Sequence, residues 1–307
     1  MKRAEHPSLQ LPPRIAAIHD LSCLGRCALT VIMPTLSVMG FQVIPVPTAL
    51  LSTHTGGFTD LHFRDLTDDM EGIAAHFSRL GTSFRSIYTG FLGSARQIET
   101  VGRFLEAFGS RPDGSGRPPL VLVDPVMGDD GTLYSTYTPA LADGIRALCT
   151  HAGVITPNLT EACFLTGEPY RETMELAEAD ALAYANRLLD ALNALRESGT
   201  GQIVITGLRL PDGTVANLGQ ESDGSRFVVR REECGCSYPG TGDIFASVLL
   251  GKLLGGASFR EACDAAAGFV ALLIRRSCLL PGPVREGVAL EPELWRLAPP
   301  HSIQKGL

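Results

Sequence analysis

The chain contains 307 residues, of which 45% are apolar and 19% are charged, a composition typical of a compact globular protein with a sizeable core. Its formal net charge of −7 and its lack of any Lys/Arg-rich run argue against a nucleic-acid-binding protein, because phosphate backbones are bound by concentrated basic surfaces. The longest apolar stretch, residues 265–274, is far shorter than the ~20 residues that a membrane span needs, so we expect no membrane association.

Short apolar runs alternate with longer helical patterns along the chain. The predicted strands are, in order, residues 15–18, 41–46, 86–89, 120–123, 153–156 and 203–206. The predicted helices are residues 30–39, 67–80, 94–108, 139–149, 178–197 and 244–254, and the apolar stretch 265–274 predicts a further, buried helix. This alternation predicts an α/β fold with a mainly parallel central sheet flanked by helices on both faces.

The chain between and after these elements predicts one domain. Residues 211–231 indicate a β-hairpin around Asp223-Gly224, and the residues between this hairpin and Gly240 form a small lid region. The loop at residues 110–119 is too short to separate two domains. We expect the proline-rich tail after residue 277 to lie over the surface. The prediction is a single domain at residues 14–280 with terminal extensions at 1–13 and 281–307.

Residues 1–13 are polar and do not resemble a signal peptide, so we expect a cytoplasmic protein with reduced cysteines. The pairs Cys23/Cys27 and Cys234/Cys236 have no neighbouring His and match no common structural zinc pattern. We expect free thiols. Buried, unreactive thiols are more common than reactive ones.

The strongest chemical signal is Pro239-Gly240-Thr241-Gly242-Asp243, which leads directly into an apolar helix. Two glycines allow a phosphate to approach the backbone, and the helix start offers unpaired N–H groups. Asp243 would then be close enough to take a proton from a hydroxyl aimed at that phosphate. In isolation, this motif is better explained by a turn followed by a carboxylate that stabilises the helix start. Its meaning depends on the motifs upstream.

Six segments, in the same order, resemble the ribokinase-like superfamily and its pyridoxal (vitamin B6) kinase branch. Residues 239–251, PGTGDIFASVLLG, resemble the superfamily signature in which Gly-Thr-Gly-Asp supplies an anion hole and a catalytic base. The other five segments are residues 52–57, 88–94, 123–128, 156–161 and 203–207. Each segment is weak alone, but together they extend over roughly residues 15–276.

The resemblance implies an ATP-dependent kinase that phosphorylates the 5-hydroxymethyl group of pyridoxal, pyridoxamine or pyridoxine. Asp243 would be the base, with an anion hole formed by Gly240, Thr241 and Gly242. ATP and Mg²⁺ would be bound by Asp124, Asn158, Glu161, Thr206 and Gly207. Asp124 and Glu161 would reach the metal through water. Asn158 and Glu161 also match a helix capping box, and both roles are compatible. Relatives are commonly homodimers, and a monovalent cation such as K⁺ is a possible further requirement.

The same resemblance places five residues in the vitamin pocket: Asp20, Ser22, Thr48, His54 and Phe91. Phe91 replaces the tyrosine of many family members and would stack on the pyridine ring, unless it is a core residue. His54 either binds a ring substituent or packs beneath a loop. Many pyridoxal kinases have serine at the position of Asp20, whereas the segment His19-Asp20-Leu21 resembles a bacterial branch of pyridoxamine kinases. It could pair with a protonated ring nitrogen, or it could cap a loop.

Two other functions remain open. A hydroxymethylpyrimidine kinase of thiamine synthesis shares the fold and these segments. A non-catalytic regulator that binds a vitamin or nucleotide would also retain the fold, but it would be free to lose Asp243 and its glycines. A sugar kinase is less favoured because the glycine pair typical of the sugar-kinase N-terminus is missing. The chain lacks the Gly-rich motifs of dinucleotide-binding dehydrogenases and P-loop enzymes, which disfavours both classes.

Overall fold

The computed structural model describes residues 11–134, 138–195 and 201–299. Its strands are β1 (Arg14–Leu24), β2 (Gln42–Thr53), β3 (Phe63–Asp65), β4 (Ser86–Thr89), β5 (Leu120–Val123), β6 (Gly128–Asp129), β7 (Thr132–Leu133), β8 (Val154–Ile155), β9 (Gln202–Arg209), β10 (Thr214–Gln220) and β11 (Arg226–Glu232). Its α-helices are α1 (Leu29–Val38), α2 (Thr67–Arg79), α3 (Ala95–Phe108), α4 (Pro139–Thr150), α5 (Leu159–Thr166), α6 (Glu178–Ala194), α7 (Thr241–Leu254) and α8 (Phe259–Ser277). Three short 3₁₀ turns are Thr173–Glu175, Val284–Glu286 and Glu291–Leu297.

In the described residues, nine strands form one sheet in the order β11-β10-β9-β8-β5-β4-β1-β2-β3. The six strands from β9 to β2 in this order are parallel, whereas β3, β10 and β11 are antiparallel to their neighbours. The strands β6 and β7 form a separate two-stranded ribbon. Parallel strands need long crossover connections, which the helices provide. The predicted α/β fold with a mainly parallel sheet is therefore confirmed.

Helices cover both faces of the sheet because alternate strand residues are apolar on opposite faces. In β1, Ala16 and Ile18 pack into a core with helices α2 to α6. Ile15 and Ala17 pack into a second core with α1, α7 and α8. Because both faces of the sheet are buried, a ligand would reach the sheet at the ends of its strands.

The predicted strands and helices are all present, but several have different bounds. The strand predicted at residues 15–18 continues to Leu24, because β1 and β2 remain paired beyond the rest of the sheet, with an irregularity between His19 and Leu21. Cys23 is therefore at the exposed end of β1. Helix α5 was not predicted as a separate helix. The last two positions of the predicted helix 178–197 lie outside the described residues.

The expectation that the chain after residue 277 lies over the surface is wrong for its central part. Val288, Leu290 and Leu297 are buried in the core that contains α1, α7 and α8. Apolar residues this sparse give no periodic signal in the sequence. We call residues 284–297 the C-terminal strap. The positions 1–10 and 300–307 of the predicted extensions lie outside the described residues.

None of the described helices has the length and apolar character that crossing a membrane requires. The eight cysteines lie in the described residues and are free thiols. Cys27 is buried, Cys234 is half-buried and Cys236 is exposed. Burial raises the pKa of Cys27, and the neighbouring carboxylates of Asp243 and Asp20 raise it further. Because the thiolate is the reactive form, Cys27 has little nucleophilic character in this environment.

Candidate active site

The N-terminus of α7 is built around Gly240, which caps the helix with φ of 77°. A Cβ atom at this position would lie 2.0 Å from the backbone oxygen of Arg26, so both the conformation and the contact require glycine. Thr241 then begins the helix, and its hydroxyl donates a hydrogen bond to the Tyr238 carbonyl at 3.1 Å. Gly242 is exposed. The first-turn N–H groups therefore form an accessible site for an anion.

Asp243 lies in the first turn of α7 and is half-buried. Its Oδ2 atom accepts a hydrogen bond of 2.8 Å from the backbone N–H of Ala28. Burial raises the pKa of Asp243 to about 8, the Ala28 amide opposes this rise, and the nearby carboxylates of Asp124 and Asp20 add to it. A carboxylate with a pKa near neutrality is well suited to act as a general base.

A cleft with a cavity volume of about 370 Å³ lies at the carboxyl ends of β5, β8 and β9. Open α/β sheets bind their ligands at this edge. The cleft is lined by every residue that the sequence predicted for catalysis, the anion hole and the nucleotide: Asp124, Asn158, Glu161, Thr206, Gly207, Gly240, Thr241, Gly242 and Asp243. The fold thus brings together residues that are up to 119 positions apart in the chain.

Asp124 and Glu161 form the buried acidic part of the cleft. Asp124 accepts a hydrogen bond of 2.9 Å from the Thr156 hydroxyl. Glu161 accepts bonds from the backbone N–H groups of Met127 at 3.1 Å and Asn158 at 2.8 Å. Burial raises the pKa of both carboxyl groups, and the negative charge of Asp124 further raises the pKa of Glu161. A bound cation would relieve this repulsion.

Asn158 and Glu161 form the capping box at the start of α5, since each side chain accepts a hydrogen bond from the backbone of the other. The Asn158 amide also donates to the Gly128 carbonyl at 2.8 Å. The helix-capping role is therefore confirmed, and it holds both side chains at the cleft. Within the described ranges, no group of three or more His, Cys, Asp or Glu side chains is arranged to hold a metal ion directly.

Several lining residues were not predicted from the sequence. Arg209 is the clearest example, since its guanidinium group makes ion pairs with Asp130 at 3.3 Å and Glu233 at 3.4 Å. It links the end of β9 to the β6–β7 ribbon and to the lid region. Asn217 on β10 also lines the cleft and accepts a hydrogen bond from the Gly207 N–H at 3.3 Å. The ribbon strands have two residues each, too few for a periodic signal.

The predicted vitamin residues lie on β1, on β2 and in the loops that follow β2 and β4, and none of them lines the cleft described above. Asp20 is buried and accepts a hydrogen bond of 2.8 Å from the Ser22 hydroxyl. Burial raises the pKa of Asp20, whereas the Ser22 hydroxyl lowers it. The Thr48 hydroxyl donates to the Phe91 carbonyl at 3.2 Å and so joins β2 to the loop after β4. The charge of Asp20 raises the pKa of Asp243, so Asp20 lies within electrostatic range of the candidate base.

His54 uses both ring nitrogens in contacts with the backbone. Its Nδ1 atom accepts a hydrogen bond of 3.1 Å from the Gly56 N–H. This contact fixes the proton on Nε2, which donates to the Arg285 carbonyl at 2.6 Å. His54 therefore joins the end of β2 to the C-terminal strap. Its predicted contact with a substrate stays a prediction.

Comparisons with known proteins agree with the fold. Residues 16–283 match the family model of phosphomethylpyrimidine kinase. The pyridoxine/pyridoxal/pyridoxamine kinase of Bordetella avium is 31% identical over 83% of this chain and 82% of its own length. The crystal structure with pyridoxal of a candidate phosphomethylpyrimidine kinase from Bacteroides thetaiotaomicron has a TM-score of 0.81 and 38% identity, covering 93% of this chain and 96% of that one. The pyridoxal kinase of Leishmania donovani, in complex with ADP and pyridoxamine, has a TM-score of 0.76 and 25% identity, covering 93% and 95%.

Proposed function

We propose that this member of the phosphomethylpyrimidine kinase family phosphorylates the 5-hydroxymethyl group of a B6 vitamer with ATP. The family belongs to the ribokinase-like superfamily, and the chain is a phosphotransferase that acts on an alcohol group. The observation that carries this proposal is the position of Asp243. It lies at a helix start suited to a phosphate, between the acidic cleft and Asp20. The similarity to proteins crystallised with pyridoxal or with ADP and pyridoxamine supports the choice of both substrates.

Asp243 would act as the general base. The Ala28 N–H holds Oδ2, and Oδ1 has no hydrogen-bond partner among the described residues, so Oδ1 is available for the substrate hydroxyl. The hydroxyl oxygen would attack the γ-phosphorus in line as its proton passes to Oδ1, and ADP would leave. The backbone N–H groups of Gly240, Thr241 and Gly242 would stabilise the charge on the transferred phosphoryl group. Catalysis would therefore depend mainly on position and electrostatics.

The acidic part of the cleft fits Mg²⁺. Asp124 and Glu161 offer hard oxygen ligands, and the raised pKa of each indicates that negative charge there lacks compensation. Both would act through water, with Asn158 beside them and with Thr206 and Gly207 facing the nucleotide. Mg²⁺ would supply charge neutralisation on the phosphate groups of ATP. Without such a cation, an acidic cleft in a protein of net charge −7 would repel the nucleotide.

Asp20 would bind the protonated pyridine nitrogen, and Phe91 would stack on the ring. Ser22 would orient the Asp20 carboxylate through their hydrogen bond. Thr48 and His54 would complete the vitamin pocket. The family resemblance also leads us to propose a cytoplasmic homodimer, and a requirement for K⁺ stays a prediction.

Hydroxymethylpyrimidine is the second candidate substrate, since the family model itself is that of phosphomethylpyrimidine kinase. The two substrates share a hydroxymethyl group on an aromatic ring but differ in the basicity of the ring. A buried aspartate at position 20 favours the more basic pyridine ring. A non-catalytic regulator is less favoured, because Asp243 would then retain a costly raised pKa without a chemical role.

The test is a substrate panel with purified protein and ATP–Mg²⁺. Pyridoxal, pyridoxamine, pyridoxine, hydroxymethylpyrimidine and ribose are each incubated with the protein, and the phosphate monoester is measured by mass spectrometry. We expect turnover of at least one B6 vitamer in preference to hydroxymethylpyrimidine and ribose. The variant Asp243→Ala, which removes the base but not the nucleotide site, should still bind ATP and lose turnover. Preferred turnover of hydroxymethylpyrimidine would select the second candidate, and no turnover of any alcohol would refute the kinase assignment.

A further inference from the structure

The C-terminal strap contacts the loop of residues 25–28, which lies directly before α1. The backbone N–H of Arg26 donates to the Glu286 carbonyl at 3.0 Å. The Nε atom of Arg26 lies 2.8 and 3.0 Å from the two carboxylate oxygens of Glu291. Gly287 has φ of 81°, and a Cβ atom there would lie 2.8 Å from the Arg26 carbonyl oxygen and 2.9 Å from its Cβ. The strap therefore packs directly against the backbone of this loop.

The same loop also contacts the N-terminus of α7. The Arg26 carbonyl oxygen is the atom that a Cβ at Gly240 would meet at 2.0 Å. Two residues later, the Ala28 N–H donates to Asp243. Ala28 has φ of 48°, a left-handed conformation that is unfavourable for alanine. A backbone in this conformation persists only where the surrounding contacts hold it.

The strap is itself firmly attached to the rest of the protein. Val288 and Leu290 are buried in the core. Arg285 accepts the hydrogen bond from His54 through its carbonyl, and its guanidinium group lies over the Phe58 ring at 4.8 Å. The match to the family model ends at residue 283, so the strap lies just beyond the matched residues. The loop 25–28 therefore contacts both the anchored strap and the N-terminus of α7.

We propose that the C-terminal strap and Arg26 are positioning elements that hold the loop 25–28 so that the Ala28 amide orients Asp243 for proton transfer. The proposal rests on the proposed function only for its effect on turnover. Its structural part, the coupling of the strap to the Ala28 amide, is independent of the substrate. Because the Ala28 amide lowers the pKa of Asp243, a loosened loop would raise that pKa above about 8. The acid limb of kcat/KM would then move to higher pH.

The test compares Gly287→Ala with the matched control Gly282→Ala. Alanine at 287 would clash with Arg26 and would require a strained conformation, whereas a Cβ at 282, two residues before the strap, meets nothing within 4 Å. Hydrogen exchange measured by mass spectrometry on the peptide containing Ala28 reports local opening of the loop 25–28, and it does not require turnover. The acid limb of the pH profile of kcat/KM reports the pKa of Asp243.

We expect Gly287→Ala to increase exchange in that peptide and to shift the acid limb upward by about 0.5–1 pH unit, the scale of one lost hydrogen bond to a carboxylate. Gly282→Ala should change neither readout. A general loss of structure would lower activity without moving the acid limb. Unchanged exchange, or an unmoved acid limb in an active Gly287→Ala protein, overturns the proposal.

A second pair of variants covers the case in which Gly287→Ala does not fold. Arg26→Glu and Glu291→Arg each break the ion pair on the exposed side of the strap, and the double variant restores it with reversed charges. We expect faster exchange of the Ala28 peptide in each single variant and recovery in the double variant. The absence of recovery overturns the proposal. If no alcohol is phosphorylated but these exchange results hold, the proposed function fails and the coupling of the strap to the loop stands.

Discussion

Replacing Asp243 with asparagine has two expected effects of opposite sign. Asparagine has nearly the same shape, and its side-chain oxygen can still accept the hydrogen bond from the Ala28 N–H. It cannot accept the substrate proton, so turnover should fall by ~10²–10⁴, the usual contribution of a general base. The folded protein, however, should become more stable, because the variant no longer places a charge in a site that raises its pKa.

The size of this stabilisation follows from the pKa of Asp243, which is raised from 3.8 to about 8. The folded state therefore binds the proton more tightly than the unfolded state, and the wild type loses stability as pH rises between these two values. Each pH unit corresponds to about 1.4 kcal/mol, which sets a ceiling of roughly 4 kcal/mol at pH 7. Since the side chain is only half-buried, solvent relaxation should reduce the realised effect to about 1–2 kcal/mol, or a Tm increase of about 2–6 °C.

Thermal unfolding followed by circular dichroism from pH 4 to pH 9 measures this effect. The difference in Tm between Asp243→Asn and the wild type should be small at pH 4, widen up to about pH 8 and remain constant above it. Asp223→Asn is the control, because the hydroxyl and amide of Ser225 lower the pKa of Asp223. The charged form of Asp223 therefore stabilises the fold at pH values above the pKa of this group in the unfolded state, and Asp223→Asn should lower the Tm there. A pH-independent difference for Asp243→Asn, or near-normal turnover, would refute the reasoning.

Two further predictions concern the neighbours of Asp243. Asp20→Asn should weaken the apparent affinity for B6 vitamers by about 10–100-fold through loss of a charge-assisted contact, with little change in the KM for ATP, as measured by steady-state kinetics. An unchanged affinity for every pyridine substrate would exclude Asp20 as a ligand. In the wild type, kcat/KM should rise with pH up to about 8, and the acid limb of kcat should lie at lower pH than that of kcat/KM. If the acid limbs of kcat and kcat/KM lie at the same pH, the expected neutralisation of Asp20 and Asp124 by bound substrates is contradicted.

The sequence predicted those features that depend on local patterns. Buried parallel strands read as short apolar runs, and the glycines around Asp243 mark a helix start at which a phosphate can approach. The sheet then gathers the predicted cleft residues by topology, because parallel strands end at the same edge. Features that depend on distant partners could not be predicted. Arg26 and Glu291 are 265 positions apart, and neither has a neighbour in sequence that identifies the other.

The extended pairing of β1 with β2 was missed for a related reason. Beyond residue 18, β1 carries polar residues such as Asp20 and Ser22, and a strand is usually recognised by its apolar residues. These two polar side chains are buried and hydrogen-bonded to each other. The buried polar end of a strand is therefore evidence for a site, and it becomes visible only when the partner element is known.

The carboxylates of Asp20 and Asp124 act on the pKa of Asp243 at the start of α7, so the protonation of Asp243 should depend on which substrates are bound. Burial raises the pKa of Asp243 to about 8, and the charges of Asp124 and Asp20 add to this rise, so without substrates Asp243 should be largely protonated at neutral pH. A cation with ATP near Asp124 and a protonated pyridine ring at Asp20 would each remove one of these repulsions. The base would then lose its proton most readily when both substrates are bound. Such linkage would limit wasteful hydrolysis of ATP, because a water molecule in the empty vitamin pocket would face a protonated and inactive Asp243.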